Sequence, residues 1–307
     1  MEDVLFSVLI ANYNNSEFLN ECIQSVYKQT YRNWEIIFVD DFSKDNSLEI
    51  IEGFASKDSR IHIFKNSKNK GCGYTKKHCI DMANGELCGF LDSDDVLAED
   101  AIELMVKVHL EQPDVSIIGS RRIFCDFNMK ILDVAPSLVD KVKNFKTLLD
   151  TPFLITHFVS FKKSAYLNTQ GIDSSLLRAV DQDLYYKLEE VGKVAFIDKP
   201  LYYYRNNSNS ISLNDNRYKA DAWHLCIIKD VCARRHLSFD NYCSLMKKTK
   251  SRKEKLINLF FLPYTKIKKL LTCKSHIRKF YETPKTSENP VVVVSNFSGG
   301  GEKSKIQ

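Results

Sequence analysis

The chain has 307 residues, 44% of them hydrophobic and 27% charged, a globular composition that excludes collagen-like and wholly disordered chains. That length suits one large domain or two ordinary ones, and its core needs no stapling. The net charge of +5 hides an asymmetry: residues 247–279 hold twelve Lys/Arg against Glu254 alone, so this segment carries +11 and the remainder −6, which removes the main support for nucleic-acid binding.

No run of 18 apolar residues occurs, and Met1-Glu2-Asp3 leads straight into a strand-like segment, so neither a membrane span nor a secretory leader is predicted. Nine cysteines, an odd number without any C-x-x-C pair, predict reduced thiols and a cytoplasmic setting rather than disulfides or structural zinc. Short apolar, β-branched runs begin at Phe6, Trp34, Ile61, Leu87 and Val115, spaced 28, 27, 26 and 28 residues apart, the length of a βαβ unit. Between the first two, Phe18, Leu19, Cys22, Ile23 and Val26 form a helical stripe, with Ser16 placed as its N-cap and Glu17 in the first turn. Further helices are predicted over 47–55, 74–83 (ending at Asn84-Gly85) and 99–111 (ending before Pro113). This alternation predicts an α/β fold with a mostly parallel sheet and helices on both faces, binding its ligand at the carboxyl ends of the strands.

Beyond Ser120 the rhythm changes to aromatic-rich segments, at 158–161, 181–188 and 200–204, and then to a helical candidate over 218–232. The expected organisation is a nucleotide-binding half over 1–120, an acceptor-side half over 121–215, a helical basic extension over 216–282 and a disordered tail over 283–307, broken by the β-prone run Val291 to Val294.

The fourth strand leaves the sheet as Phe90-Leu91-Asp92-Ser93-Asp94-Asp95. Three carboxylates so close repel one another and call for a cation; Mg²⁺ or Mn²⁺ fits, because it can also bridge to substrate phosphate oxygens. Alone, the cluster would read as an acidic turn capping the next helix. The second strand ends in Val39-Asp40-Asp41-Phe42-Ser43, where an acid can accept from a base N–H or from ribose hydroxyls. Gly71 and Gly73 allow close backbone approach in the third loop, and Lys76 is placed either to meet a diphosphate or to stand in solvent. No G-x-x-x-x-G-K-[ST] and no G-x-G-x-x-G follows the first strand, so P-loop NTPases and NAD-type dehydrogenases lack their phosphate cradle.

In order, Ser7-Val8-Leu9-Ile10-Ala11-Asn12-Tyr13-Asn14, Val39-Asp40-Asp41-Phe42-Ser43, Asn69-Lys70-Gly71, Ala83-Asn84-Gly85-Glu86 and Leu91-Asp92-Ser93-Asp94-Asp95 run through the chain. Together they resemble family 2 glycosyltransferases of the GT-A fold, the bacterial polysaccharide-building type, across roughly residues 5–212. The resemblance implies an inverting, metal-dependent transfer from a nucleoside diphosphate sugar, UDP-linked, to a hydroxyl of a glycan or lipid-linked acceptor. It implies donor contacts from Ala11, Tyr13, Asn14, Asp40, Asp41, Gly71, Lys76, Asp92, Ser93 and Arg205, and a metal site of Asp92, Asp94 and Asp95. Asp181, in Val180-Asp181-Gln182-Asp183-Leu184, matches the family's base; Asp183 would orient local backbone or a basic partner. Without the resemblance both acids read as helix N-terminal residues serving the dipole.

The chain departs from the family at Val180, where a Glu is usual, at Ala11 for a proline, and at Asn207 for a histidine after Tyr204-Arg205. Arg205 would meet a phosphate or carboxylate of the substrate, or pair with an acid of its own domain. His78 and His157 show no ligand-like spacing and read as ordinary polar residues. Two alternatives are a nucleotide-sugar-binding scaffold without turnover and a nucleotidyltransferase, which would want a basic, glycine-rich loop where Asn12-Tyr13-Asn14-Asn15 stands. The basic segment 247–279, with the apolar run Leu256 to Leu262 inside it, is expected either to meet an anionic membrane surface at the cytoplasmic face or to pack its Leu/Ile/Phe stripe on the catalytic domain as a solvated helical surface.

Overall fold

Phe6–Asn12 (β1) and Trp34–Asp40 (β2) are buried almost throughout, which is why they read as continuous apolar runs: a strand with a helical layer on each face alternates nothing. The computed structural model describes residues 4–137, 139–142, 145–151, 154–207, 217–249 and 292–294. These fall into two compact units, one within residues 1–207 and 288–307, the other within 208–287.

In the first unit Ser16–Tyr27 (α1), Ser47–Ala55 (α2) and Cys72–Met82 (α3) alternate with β1, β2, Ile61–Lys65 (β3) and Leu87–Phe90 (β4). Val96–Leu97 (β5), Ala101–Glu111 (α4), Val115–Cys125 (β6) and Ile131–Val134 (β7) follow, then Val139–Val142 (α5), Val159–Lys162 (β8), Lys163–Leu167 (α6), Val180–Glu189 (α7) and Lys193–Arg205 (β9). The second unit holds Arg217–Arg234 (α8) and Phe239–Thr249 (α9), and Val292–Val294 (β10) returns to the first.

The sheet order is β10-β9-β6-β8-β4-β1-β2-β3. All five sequence-read strand starts hold, and so does the α/β class. Pairings of β1 with β2 and β4, of β2 with β3, and of β9 with β6 and β10 are parallel. One departure is β8, inserted antiparallel between β4 and β6. It joins the halves, because β4 ends in the carboxylate turn while β6 and β9 carry the aromatic-rich sequence.

Two local expectations shift. Asn15, not Ser16, precedes the first turn of α1; its side chain donates to Ser93 Oγ at 2.9 Å, and the Ser16 N–H is taken by Asp45 at 2.8 Å. The cap position thus ties β1's loop to the carboxylate turn. α3 begins at Cys72, two residues early, because Gly71 turns the chain at φ +86°, a conformation that favours glycine. The Ala83-Asn84-Gly85-Glu86 stretch is architectural: buried Glu35 accepts from Ser7 Oγ, from the Asn84 amides and from Gly85 N–H. Of the expected tail, Val292–Val294 forms β10 on β9. The rest of 283–307, and the basic segment from residue 250 on, lie outside the described residues.

Candidate active site

The β2 strand ends in two acids that are already occupied. Asp40 accepts from Asn12 Nδ2 (3.0 Å), Ser43 N–H (2.8 Å) and Ser43 Oγ (2.5 Å). Asp41 accepts from Asn66 Nδ2 and from the Lys70 and Gly71 N–H groups, all at 2.8 Å. Both are buried. They hold the β2 and β3 loops in shape, and most of their lone pairs are spent inside the protein. One acceptor at these strand ends is buried without a donor, Asn12 Oδ1.

Asn14, in the left-handed region at φ +52°, donates its N–H to Ser43 Oγ and accepts the Lys44 N–H. Tyr13 beside it is 47% exposed, and Ala11 lies in register with Val39. Gly71 sits against Leu177, whose Cδ2 would lie 2.9 Å from an added Cβ. Residues 173–177 therefore press on the start of α3, and Gly73 N–H donates to Leu176 O at 3.0 Å.

The turn after β4 is shaped by its own backbone and by β9. Asp95 N–H donates to Asp92 O at 3.0 Å, and Asp92 N–H to Tyr202 Oη at 3.2 Å. Ser93 is buried, receiving Asn15. Arg205 clamps the turn: its N–H donates to Asp95 Oδ1 at 2.7 Å, its Nε to Asp94 O at 2.7 Å, and its remaining nitrogens to Phe127 O and Glu21. Side-chain exposure of 3% leaves that guanidinium inside the protein. Its guanidinium pairs with an acid of its own domain, the alternative the sequence offered, and that acid, Glu21, lies 184 residues away and was not legible in the sequence.

The three carboxylates do not converge. Asp95 faces the Arg205 amide and Tyr202, Asp94 receives Asn207 Nδ2 at 3.3 Å, and Asp92 receives Lys76. No group of three or more metal-ligating side chains is assembled among the described residues. The electrostatics still ask for a cation. Burial, then the charge of Asp92, pushes Asp94 up to about 6. Burial and both neighbours push Asp95 well above the carboxylate range. Hard oxygen donors under mutual repulsion suit a divalent ion bound through one or two carboxylates and completed by substrate oxygens. Asp94 and Asp92 fit that role; Asp95 is committed to the Arg205 backbone.

Lys76 links this turn to the expected base. Its ammonium, 5% exposed, lies 3.1 Å from Asp92 Oδ1 and 2.8 Å from Asp181 Oδ1. Burial opposes its charge, yet the two carboxylates together raise its pKa well above the lysine value. Burial likewise resists ionisation of Asp92, but Lys76 and then His157 outweigh it and hold its carboxyl low. Asp183, two positions on along α7, is buried in an ion pair with Lys187 at 2.6 Å, and Lys187 also donates to Gly171 O. Asp181 thus faces the site and Asp183 the fold. Val180 is buried. His157, read as an ordinary polar residue, stacks on Tyr202 at 5.1 Å and shares the electrostatic field of Asp92 and Asp181; no local sequence signal marks it. His78 bonds Asn66 within the β3–α3 layer.

Residues 7–168 match Glycosyl transferase family 2. Among curated relatives, the chain is 30% identical over 224 residues to glycosyltransferase GlyG of Streptococcus pneumoniae, covering 67% of this chain and 72% of that one. It is 28% identical over 255 residues to a chondroitin synthase of Pasteurella multocida, covering 81% of this chain but only 25% of the longer protein. Among solved structures, residues 1–349 of S. aureus TarS in complex with UDP-GlcNAc superpose with a TM-score of 0.64 at 19% identity, over 82% of this chain and 73% of that one. The mannosyltransferase PcManGT of Pyrobaculum calidifontis, in complex with GDP-Man and Mn²⁺, gives 0.57 at 14% identity, over 88% and 81%. These structural likenesses carry the fold.

Proposed function

The chain belongs to glycosyl transferase family 2, and on that premise we propose that it moves a sugar from a nucleoside diphosphate donor, UDP-linked, to a hydroxyl of a growing glycan or lipid-linked acceptor, with inversion. The observation that carries this is the bridge of Lys76 between Asp92 and Asp181. It ties a carboxylate of α7 to the turn where acids await a cation.

A single displacement needs an acceptor-side base, a charge clamp on the departing diphosphate and a pocket that holds both in line. Asp181 is the base. Lys76 holds its Oδ1 and fixes the carboxylate's direction, so that Oδ2 is the oxygen offered to the acceptor proton. Asp94 with Asp92 would hold Mn²⁺ or Mg²⁺, which neutralises charge on the leaving diphosphate. Tyr13, exposed beside the left-handed Asn14, would cover a nucleotide base. The GDP-Man and UDP-GlcNAc complexes of the structural neighbours support a nucleotide-sugar donor and, in one, a divalent ion.

No helix among the described residues is long and apolar enough to cross a membrane. A cytoplasmic chain drawn to the inner face of the membrane by its basic run 247–279 fits a lipid-linked acceptor.

The deciding experiment is a donor screen: thermal shift with UDP, GDP and their sugars, with and without Mn²⁺, followed by transfer to glycan acceptors. UDP binding that requires the ion, with turnover of one UDP-sugar, is expected. Metal-independent binding would remove the cation from the reading, and tight binding with no turnover of any sugar would favour the scaffold.

A further inference from the structure

β6 and β9 run in parallel register with Arg122 opposite Tyr202 and Phe124 opposite Tyr204. Alternation along a strand puts these four side chains on one face; Ile123 and Cys125, between and beyond, are buried on the other. On the shared face the Arg122 guanidinium lies 4.6 Å from the Phe124 ring centre and 5.5 Å from that of Tyr204. Phe124 and Tyr204 meet edge to face at 6.3 Å, and His157 stacks on Tyr204 at 6.1 Å and on Tyr202 at 5.1 Å. Since the Tyr202 hydroxyl takes the Asp92 N–H, the row leads from the carboxylate turn outward to Arg122.

Arg122 differs from three other arginines of the first unit in having no acid. Arg60, Arg121 and Arg205 pair with Asp58, Asp198 and Glu21. Among the described residues no carboxylate lies within ion-pair distance of Arg122, although it is half-buried. Burial pushes its pKa below the usual arginine value, with only the fields of Tyr204, Asp95 and Tyr202 in opposition. A charge withdrawn from water is ordinarily paired. Here aromatic faces supply part of the compensation and leave the planar fork, suited to bidentate capture of a carboxylate or phosphate, without its anion.

The sheet order decides which substrate that anion belongs to. The donor-half loops follow β1, β2 and β3, on one side of β4, whereas β6 and β9 lie on the other side, beyond β8. We propose that Arg122, with Phe124, Tyr204 and His157, forms a subsite for an anionic sugar of the acceptor, one bearing a uronate carboxylate or a phosphate. The inference rests on the transferase reading and deepens it by naming the acceptor's chemical class.

The test is ligand-observed NMR titration of the full chain, saturated with UDP and Mg²⁺, using glucuronic acid, glucose 6-phosphate and glucose as probes. Wild-type protein is expected to bind an anionic probe about tenfold more tightly than glucose, about 1.4 kcal/mol; which anion is preferred separates carboxylate from phosphate. In Arg122→Gln the preference disappears, in Arg122→Lys part of it survives, and UDP affinity stays unchanged in both. Absence of an anion preference in the wild type, or its survival in Arg122→Gln, overturns the subsite. Weakened UDP binding by folded Arg122→Gln or Arg122→Lys also overturns it, by moving the guanidinium to the donor diphosphate. A wild-type chain that binds no nucleoside diphosphate defeats the transferase reading itself and this inference with it.

Discussion

Asp41 and Asp94 are both aspartates at the carboxyl ends of parallel strands, and the protein treats them in opposite ways. Asp41 receives three N–H donors at 2.8 Å and holds the β3–α3 loop. Asp94 receives a weak side-chain donor, Asn207 at 3.3 Å, and sits beside Asp92 with its pKa raised to about 6. A carboxylate surrounded by donors is part of the scaffold; one surrounded by carboxylates is waiting for a ligand. The β2 loop is thus preformed around internal hydrogen bonds, while the turn after β4 keeps Asp94 among like charges. The comparison also sorts the acids of α7, since Asp183 has its own lysine within the fold and Asp181 shares one with the turn.

The largest expected effect tests the open side of this contrast. Asp181→Asn keeps size and hydrogen bonding but cannot take a proton, so kcat should fall by about 10²–10⁴ with UDP affinity nearly preserved. Steady-state kinetics alongside calorimetry separate the two; a parallel loss of UDP binding would take Asp181 out of the base role. Lys76→Met comes next, because it leaves Asp92 and Asp181 without their common cation. Removing one partner of a buried ion pair costs about 3–5 kcal/mol, and with Asp92 34% and Asp181 22% exposed solvent should bring this to about 2–3. Chemical denaturation reads the stability loss. If Lys76→Arg restores stability but not kcat, Lys76 orients the base as well as neutralising it.

Asp41→Ala sharpens the scaffold side. It strands three donors, one a side-chain amide and two backbone N–H groups, at about 1–3 kcal/mol for a buried group left unmade, and about 3 kcal/mol in total is expected once the loop relaxes. Nucleotide affinity should fall only through loosening of the Gly71 loop. An Asp41→Ala protein of unchanged stability that had lost UDP binding would make Asp41 a donor contact after all, as the sequence suggested.

That expectation shows where sequence reading reaches its limit. Strand spacing, helix stripes and the order of motifs were legible because buried parallel strands and their helices write periodicity into neighbouring residues. The chemistry of the acids was half legible: their positions at strand ends are local, but their partners are not. Lys76 and Asp181 are 105 residues apart, and Arg205 and Glu21 are 184; nothing in either local sequence says that the lysine spans two acids or that the arginine turns inward. His157 and Arg122 were missed for the same reason, since stacking across β6, β9 and the segment before β8 is created by register alone.

The smallest expected effect concerns pH and isolates Asp94. Its carboxyl ordinarily titrates near 3.8 and in the folded protein near 6, so between these values the native state holds a proton that the unfolded chain has released. Stability from this group is therefore full below pH about 4 and is lost as pH rises through 6. That shift of about 2.2 pK units corresponds to about 3 kcal/mol at most; with partial solvent access about 1–2 is expected. Thermal melts of the metal-free protein from pH 4 to 7 should show this component falling, and Asp94→Asn, which is uncharged throughout, should remove it while gaining stability at pH 7. Adding Mn²⁺ should reverse the slope for the wild type, because a cation favours the ionised form, and leave Asp94→Asn unmoved. If instead the variant were no more stable than the wild type at pH 7, Asp94 would belong with Asp41 among acids satisfied by the fold, and the contrast between the two strand ends would fail at its most exposed point.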